Sequence, residues 1–375
     1  MSIDNKDKIL NVPNLRFPGF GGEWKTLFVD DVCPEFQSGK NIKAENIKSE
    51  GLYPVYGGNG LRGYTDIYNH DGTYVLIGRQ GALCGNVRLV EGRNYITEHA
   101  IAVSSSNEHC IYFLYYLFYK MNLGQYSDQS AQPGLAVNKL LRLKLHIPLK
   151  DEQTKIAKIL TLLDTRIATQ NKIIEGLKKL KVAIIENVFK AKCCNHKIGD
   201  IITQVSIRNK SNNVPNVLSV SNKQGFVEQS EQFEDRTVAS EDVTNYKIVR
   251  TNDFAYNPAR INVGSIARLK QHESGIVSPM YICFHTKKDV LPEYLEIFFH
   301  TQSFKHEMYK RLEGSVRLCL SYEGLTNIPI FIPGIPAQLE ISKRIFVFER
   351  KIATEEYYLN ALEQQKQYLL QQIFI

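Results

Sequence analysis

Residues that could do chemistry are sparse along this chain, and most fall in incomplete patterns. Ser38-Gly39-Lys40 lacks the upstream glycine of a phosphate-cradling G-x-x-x-x-G-K-[ST] loop, so no nucleotide site is expected there. Asn257-Pro258-Ala259-Arg260 has half of the [N/D]-P-P-[Y/F] tetrad of a DNA amino-methyltransferase, without the glycine-rich motif that would hold its cofactor. A turn is the simpler reading. Glu23-Trp24-Lys25 has the E-x-K spacing of metal-dependent nucleases, but no suitably placed acidic residue on a preceding strand accompanies it. The nine histidines show no pairing suited to general acid–base work, and no G-x-S-x-G elbow exists. The seven cysteines (Cys33, Cys84, Cys110, Cys193, Cys194, Cys283 and Cys319) form no C-x-x-C, and no His pair lies near them at ligand spacing. The expectation is no catalytic residue, no metal site and free thiols.

What remains suits binding. Gly57-Gly58-Asn59-Gly60-Leu61-Arg62-Gly63-Tyr64 and Gly78-Arg79-Gln80-Gly81 are glycine-dense loops carrying amide, guanidinium and phenol groups. Ser221-Asn222-Lys223-Gln224-Gly225 and Asn257-Pro258-Ala259-Arg260-Ile261-Asn262 repeat that chemistry in the second half. Asn and Arg can read adenine and guanine edges bidentately, and basic side chains can hold phosphates. The candidate DNA-binding set is Lys40, Lys43, Asn59, Arg62, Tyr64, Arg79, Gln80, Lys139, Arg208, Lys210, Asn222, Lys223, Gln224, Asn257, Arg260, Asn262 and Arg317. The same residue types serve hairpin turns for conformational reasons, and exposed basic residues are often only solvated. Recurrence in both halves is what points to a ligand.

The elements that must position these loops are written twice. Residues 140–189 and 325–374 align without a gap at an offset of 185, with identities such as Ile147/Ile332, Pro148/Pro333, Gln153/Gln338, Lys181/Lys366 and Phe189/Phe374. Each copy reads as a helix of about 40 residues, roughly 60 Å long, starting after a proline, with Asp151 as the N-cap of the first. Apolar residues recur at alternating spacings of three and four, which is a coiled-coil seam. In the first helix the seam is Leu160, Leu163, Ile167, Gln170, Ile174, Leu177, Lys181, Ile184 and Val188; in the second it is Ile345, Phe348, Ile352, Glu355, Leu359, Leu362, Lys366, Leu369 and Ile373. A parallel pair would set Lys181 against Lys366, which repel. An antiparallel pair brings Lys181 within a layer of Glu355 and Gln170 within a layer of Lys366, so antiparallel packing is expected.

The intervening segments read as β-rich, with runs such as Tyr74–Ile77, Ile101–Val103, Val217–Val220 and Ile276–Phe284 between turn residues. Residues 85–89 and 264–269 correspond with a one-residue slip, and helices are expected only at the aromatic-rich stretches Ile111–Met121 and Pro292–Tyr309. The fold expected is α+β. Two β-rich domains, 1–148 and 195–333, are separated by long helices at 149–194 and 334–375, related as a pseudo-twofold internal repeat.

The 375 residues carry 43% hydrophobic and 23% charged residues and a net charge of +7. These values exclude a disordered chain and permit a nucleic-acid partner without demonstrating one. No apolar run approaches the 18 residues of a membrane span, and Met1–Leu10 has no apolar signal-peptide core, so a cytoplasmic location is expected.

Pro13-Asn14-Leu15-Arg16-Phe17-Pro18-Gly19-Phe20 followed by Glu23-Trp24, GGNGLRGYTD at 57–66, IGRQG at 77–81, and I-P-x-x-x-x-Q at Ile147–Gln153 and Ile332–Gln338 are together similar to the specificity subunit of type I restriction–modification systems. The resemblance covers essentially the whole chain. It implies that each globular unit is a target recognition domain reading one half of a split DNA site. The helices would space the halves and dock two methyltransferase subunits, which carry S-adenosylmethionine and methylate adenine. Motor/nuclease (restriction) subunits would join for cleavage. The chain itself would hold no cofactor and catalyse nothing. Two other readings are a stand-alone DNA methyltransferase or nuclease, disfavoured by the missing motifs, and a coiled-coil scaffold whose two domains bind protein or sugar.

Overall fold

The computed structural model describes residues 11–128, 134–190, 193–222, 224–229, 242–315 and 317–375; Met1–Leu10 and Lys223 lie outside them. The chain divides into two compact units, Met1–Asn171 with Tyr357–Ile375, and Lys172–Glu356. The long helices run Lys150–Lys190 and Ile335–Ile373, so each contributes to both units. Helix and sheet are both present, with the first long helix separating two β-rich regions.

Each unit holds a four-stranded antiparallel sheet of the same order. In the first, Phe36–Ser38 pairs with Ala100–Val103, which pairs with Tyr74–Gly78, which pairs with Val87–Val90. In the second, the order is Ile202–Val205, Ile282–Thr286, Phe254–Tyr256 and Ile266–Arg268. Around this shared sheet the units differ. The first adds a sheet built on the hairpin Tyr53–Gly57/Gly60–Thr65, and the second adds two two-stranded ribbons.

Side-chain alternation along the central strands makes two cores per unit. Val75, Ile77, Ile101 and Val103 face Phe113, Leu114, Leu117 and Phe118 of the helix Ile111–Met121. The intervening Leu76, Ala100 and Ala102 pack with Val90 and Ile96 on the other face. The second unit repeats the division. Phe254, Tyr256 and Phe284 pack on the helix Pro292–Phe299, while Ala255 and Cys283 pack with Leu218, Val249 and Val277. Burying a side chain of this size contributes about 1.5–3 kcal/mol, which fixes strand register more firmly than the loops do.

Four expectations need correction. The aromatic stretch Pro292–Tyr309 is two helices, Pro292–Phe299 and Gln302–Tyr309, because the Thr301 hydroxyl accepts from the Phe304 amide (3.0 Å) and starts a new helix. The run Ile276–Phe284 is divided between Ser274–Val277 and Ile282–Thr286, which belong to different sheets. Pro279 between them has no amide to donate to a ladder. Short helices at Val29–Val32, Val137–Leu141, Ile198–Ile201 and Tyr322–Thr326 were not expected, since one turn is too short to display a period. Finally, Asp151 lies inside the first turn of its helix, which begins at Lys150, and so is not the N-cap.

The long helices are antiparallel within each unit. In the first, Lys366 pairs with Asp164 (2.6 Å) and Arg166 with Tyr358. In the second, Lys178 pairs with Glu356 (2.6 Å) and Lys181 with Glu349 (3.0 Å). All eighteen seam positions are buried or half-buried. Towards the helix ends the most buried positions move one residue along, to Ile185, Phe189 and Leu370, which join the domain cores. The acidic partner of Lys181 is thus Glu349, while Glu355 pairs with Lys351 of its own helix (2.5 Å).

Candidate nucleic-acid interface

In the first unit, close backbone approach brings the polar loops together. A Cβ at Gly58 would lie 2.7 Å from the His99 carbonyl, and one at Gly78 would lie 2.7 Å from the Gly58 carbonyl. Only glycine permits these contacts. The Arg79 amide donates to the His99 carbonyl (2.9 Å), and its Nη1 donates to the Ser38 hydroxyl (3.0 Å). His99 Nδ1 meets Gln80 Oε1 at 3.0 Å, and its Nε2 meets Glu98 at 3.1 Å. Gly60 backs onto the Arg88 guanidinium, and the Arg62 stem covers Gly57. Asn59, Arg62 and Gln80 are exposed on this surface, Arg79 and Tyr64 half-buried. The side chains of Asn59 and Arg62 have no hydrogen-bond partner among the described residues. Lone residues without a motif, His99 and Arg88 were missed by sequence reasoning; only the tertiary contacts bring them to this surface.

In the second unit, Asn257 shapes its own turn. Its Oδ1 accepts from the Ala259 amide (3.0 Å), and among the described residues its Nδ2 donates only to the Met280 thioether (3.7 Å). The Leu320 amide donates to the Pro258 carbonyl (3.0 Å), which brings Arg317 alongside. Asn257, Arg260, Met280 and Arg317 line an open cavity of about 570 Å³. Arg260 also lines a neighbouring 160 Å³ cavity with Asn222, Ser265 and Tyr281. Asn222, Asn257, Arg260 and Arg317 are therefore brought together. Asn262 is half-buried, its carbonyl accepting from the Tyr309 hydroxyl (3.4 Å), and exposed Gln224 lines a separate cavity beside Arg268 and Lys270. Lys223 lies outside the described residues.

The phosphate candidates are spread more widely. Lys40 and Lys210 are exposed; Lys43 lies 3.6 Å from Glu45, and Lys139 lies 3.7 Å from Asp128. Arg208 sits elsewhere on the second unit, donating to Asn245 (2.9 Å). Among the described residues, no group of three His, Cys, Asp or Glu is arranged to hold a metal ion. Burial pushes the Cys33 and Cys283 thiols up to about 12.

The repeated I-P-x-x-x-x-Q motif has a clear structural role. Gln153 is buried; its Oε1 accepts from the amide of Cys110, the residue preceding the helix Ile111–Met121 (2.8 Å). Its Nε2 reaches the Pro148 carbonyl (2.9 Å) and His109 Nδ1 (3.2 Å). Gln338 repeats this: Oε1 accepts from Leu291 (2.8 Å), and Nε2 donates to Pro333 (2.8 Å) and Asp289 (3.0 Å). In each unit one amide thus ties the start of a long helix to the start of the aromatic helix. The opening motif is anchored too. Arg16 forms a bidentate pair with buried Glu152 (2.8 and 2.7 Å), and Trp24 packs edge-on against Phe113 (6.0 Å). These motif residues hold the scaffold rather than the exposed loops.

Residues 21–179 match the type I restriction modification DNA specificity domain. That stretch is similar to the specificity domain of this family. The domain spans the first sheet, its polar loops, the Gln153 clamp and the start of the first long helix. The chain is similar, at 49% identity over 148 residues, to the EcoprrI specificity subunit of Escherichia coli, covering 38% of this chain and 36% of that protein. It is 32% identical over 122 residues to the putative MjaX specificity subunit of Methanocaldococcus jannaschii, covering 30% and 29%. The matched stretches thus span about a third of the length of these relatives. The specificity-subunit fold extends further. The S subunit of M. genitalium superposes with a TM-score of 0.64 at 17% identity, covering 97% of this chain and 99% of that one. A chain from the type I R-M system, solved to explain complex assembly and conformational transition, superposes with a TM-score of 0.55 at 12% identity, covering 95% and 97%. Beyond the specificity domain, the second unit repeats its four-stranded sheet order.

Proposed function

We propose that this chain is the DNA-reading subunit of a type I restriction–modification complex and that each unit reads one half of a bipartite site. The observation that carries this is the duplicated sheet order, with polar loops of similar chemistry in each copy and a DNA specificity domain in the first. In the first unit Asn59, Arg62, Arg79 and Gln80 read base edges; in the second Asn222, Asn257, Arg260 and Arg317 do so, with Asn262, Gln224 and Lys223 alongside. Tyr64, Lys40, Lys43, Lys139, Arg208 and Lys210 hold the backbone.

The exposed faces of the long helices dock two methyltransferase subunits, and restriction subunits complete the complex in the cytoplasm. The chain catalyses nothing and binds no cofactor; S-adenosylmethionine belongs to the methyltransferase partner. With a net charge of only +7, the free chain releases few counterions on binding, so DNA affinity is weak alone and strong in the complex. Half-sites one helical turn apart lie roughly 34 Å apart on one face of B-DNA, a distance within reach of readers carried on long helices.

The test is to express the chain with its cognate methyltransferase subunit in an unmethylated host and map modified adenine. A motif of two short defined halves with a fixed gap is expected. No new methylation from a soluble, associated pair would count against this function.

A further inference from the structure

Two of the amides brought to the reading surfaces, one in each unit, have their oxygen occupied. Gln80 Oε1 lies 3.0 Å from His99 Nδ1, and Gln80 Nε2 has no partner among the described residues. With the ring proton on Nδ1, His99 donates to Gln80; its Nε2 lies 3.1 Å from a Glu98 carboxylate oxygen without a hydrogen bond between them. In the second unit Asn257 Oδ1 accepts from the Ala259 amide, and among the described residues Nδ2 meets only a thioether, a weak acceptor. A free side-chain amide presents a donor and an acceptor together, which is what bidentate reading of adenine requires. An amide whose oxygen is occupied presents donors. Its complement is an acceptor edge in the major groove: guanine O6/N7 or thymine O4, and not the cytosine N4 donor. The arginines beside each of these two amides are donors as well.

We infer that His99 is a positioning residue for base reading: it binds the carbonyl end of the Gln80 amide and so commits the NH₂ end to an acceptor-bearing base edge. The inference deepens the proposed function and rests on it. His99 need not touch DNA. Removing it frees the amide to turn over and offer its oxygen, which would admit donor-bearing edges at that position.

The experiment compares methylation maps of the full chain, expressed with its methyltransferase subunit, for wild type, His99→Ala, His99→Asn and Gln80→Glu. His99→Ala should lower the preference at one position of one half about ten-fold, with the other half and the gap unchanged. The Asn amide can replace Nδ1 as donor to Gln80, so His99→Asn should restore the preference. Gln80→Glu replaces the donor by an acceptor and should shift the same position to the opposite edge. A merely structural His99 would reduce the number of methylated sites without changing the motif. An unchanged motif in His99→Ala overturns the inference, as does a position relaxed as fully by Asn as by Ala. Should His99→Ala abolish methylation, His99→Asn and Gln80→Glu still decide. A wild-type chain that yields no split motif fails earlier, against the proposed function itself.

Discussion

At the scale of single residues, the buried glutamines tie each long helix to an aromatic helix, away from the candidate DNA-binding loops. Replacing Gln153 by Ala leaves the Cys110 amide and the Pro148 carbonyl without their partner in a buried site. At about 1–3 kcal/mol for each stranded group, the loss should be about 3 kcal/mol. Gln338→Ala should cost a similar amount in the second unit, and denaturant melts followed by probes in each unit would measure both. His109 adds a pH dependence. Burial holds its pKa below the usual histidine value, and its neutral Nδ1 accepts from Gln153. A histidine depressed on folding contributes stability that is full above its unfolded value and declines as pH falls through the folded one. The first unit should therefore melt at lower temperature as pH drops below about 6.5, and His109→Gln should flatten that slope. The Gln153/Gln338 identity was visible in the sequence, but its role was not. Period and spacing identify which residues recur, whereas hydrogen bonds to Cys110 and Leu291 depend on where a helix start lands in space. His99 was illegible for the same reason.

At the scale of elements, the sequence was most informative where a period could run long. The three-and-four spacing from Leu160 to Val188 and from Ile345 to Ile373 falls on buried or half-buried positions throughout. The argument from like charge, that Lys181 and Lys366 avoid each other, led to the antiparallel pairing found in both units. It did not find the partners Glu349 and Asp164, because these lie beside the seam rather than on it. Elements of one turn, and the division of Ile276–Phe284 at Pro279, were out of reach of any periodicity. On the proposed function the helices also set the gap between half-sites. Inserting four residues into each helix adds about one turn, roughly 6 Å. The methylated motif should then keep both halves and change only its unspecified gap; an unchanged gap would show that the helices are not the ruler.

At the scale of the whole molecule, the account rests on two copies of one sheet, each presenting its own donor-rich loops. The duplication was legible because the helical segments of the copies align without a gap. The candidate reading residues were less so, because Gly, Asn and Arg serve turns and ligands alike, and only contacts such as Gly58 against His99 decide which loops meet. The central claim is that the units read separate halves. The most direct measurement is the adenine-methylation motif of wild type beside those of Arg62→Ala and Arg260→Ala, each expressed with the methyltransferase subunit. The account predicts that Arg62→Ala relaxes one half, Arg260→Ala relaxes the other, and the gap stays fixed in both. Relaxation of the same half by both substitutions would contradict it.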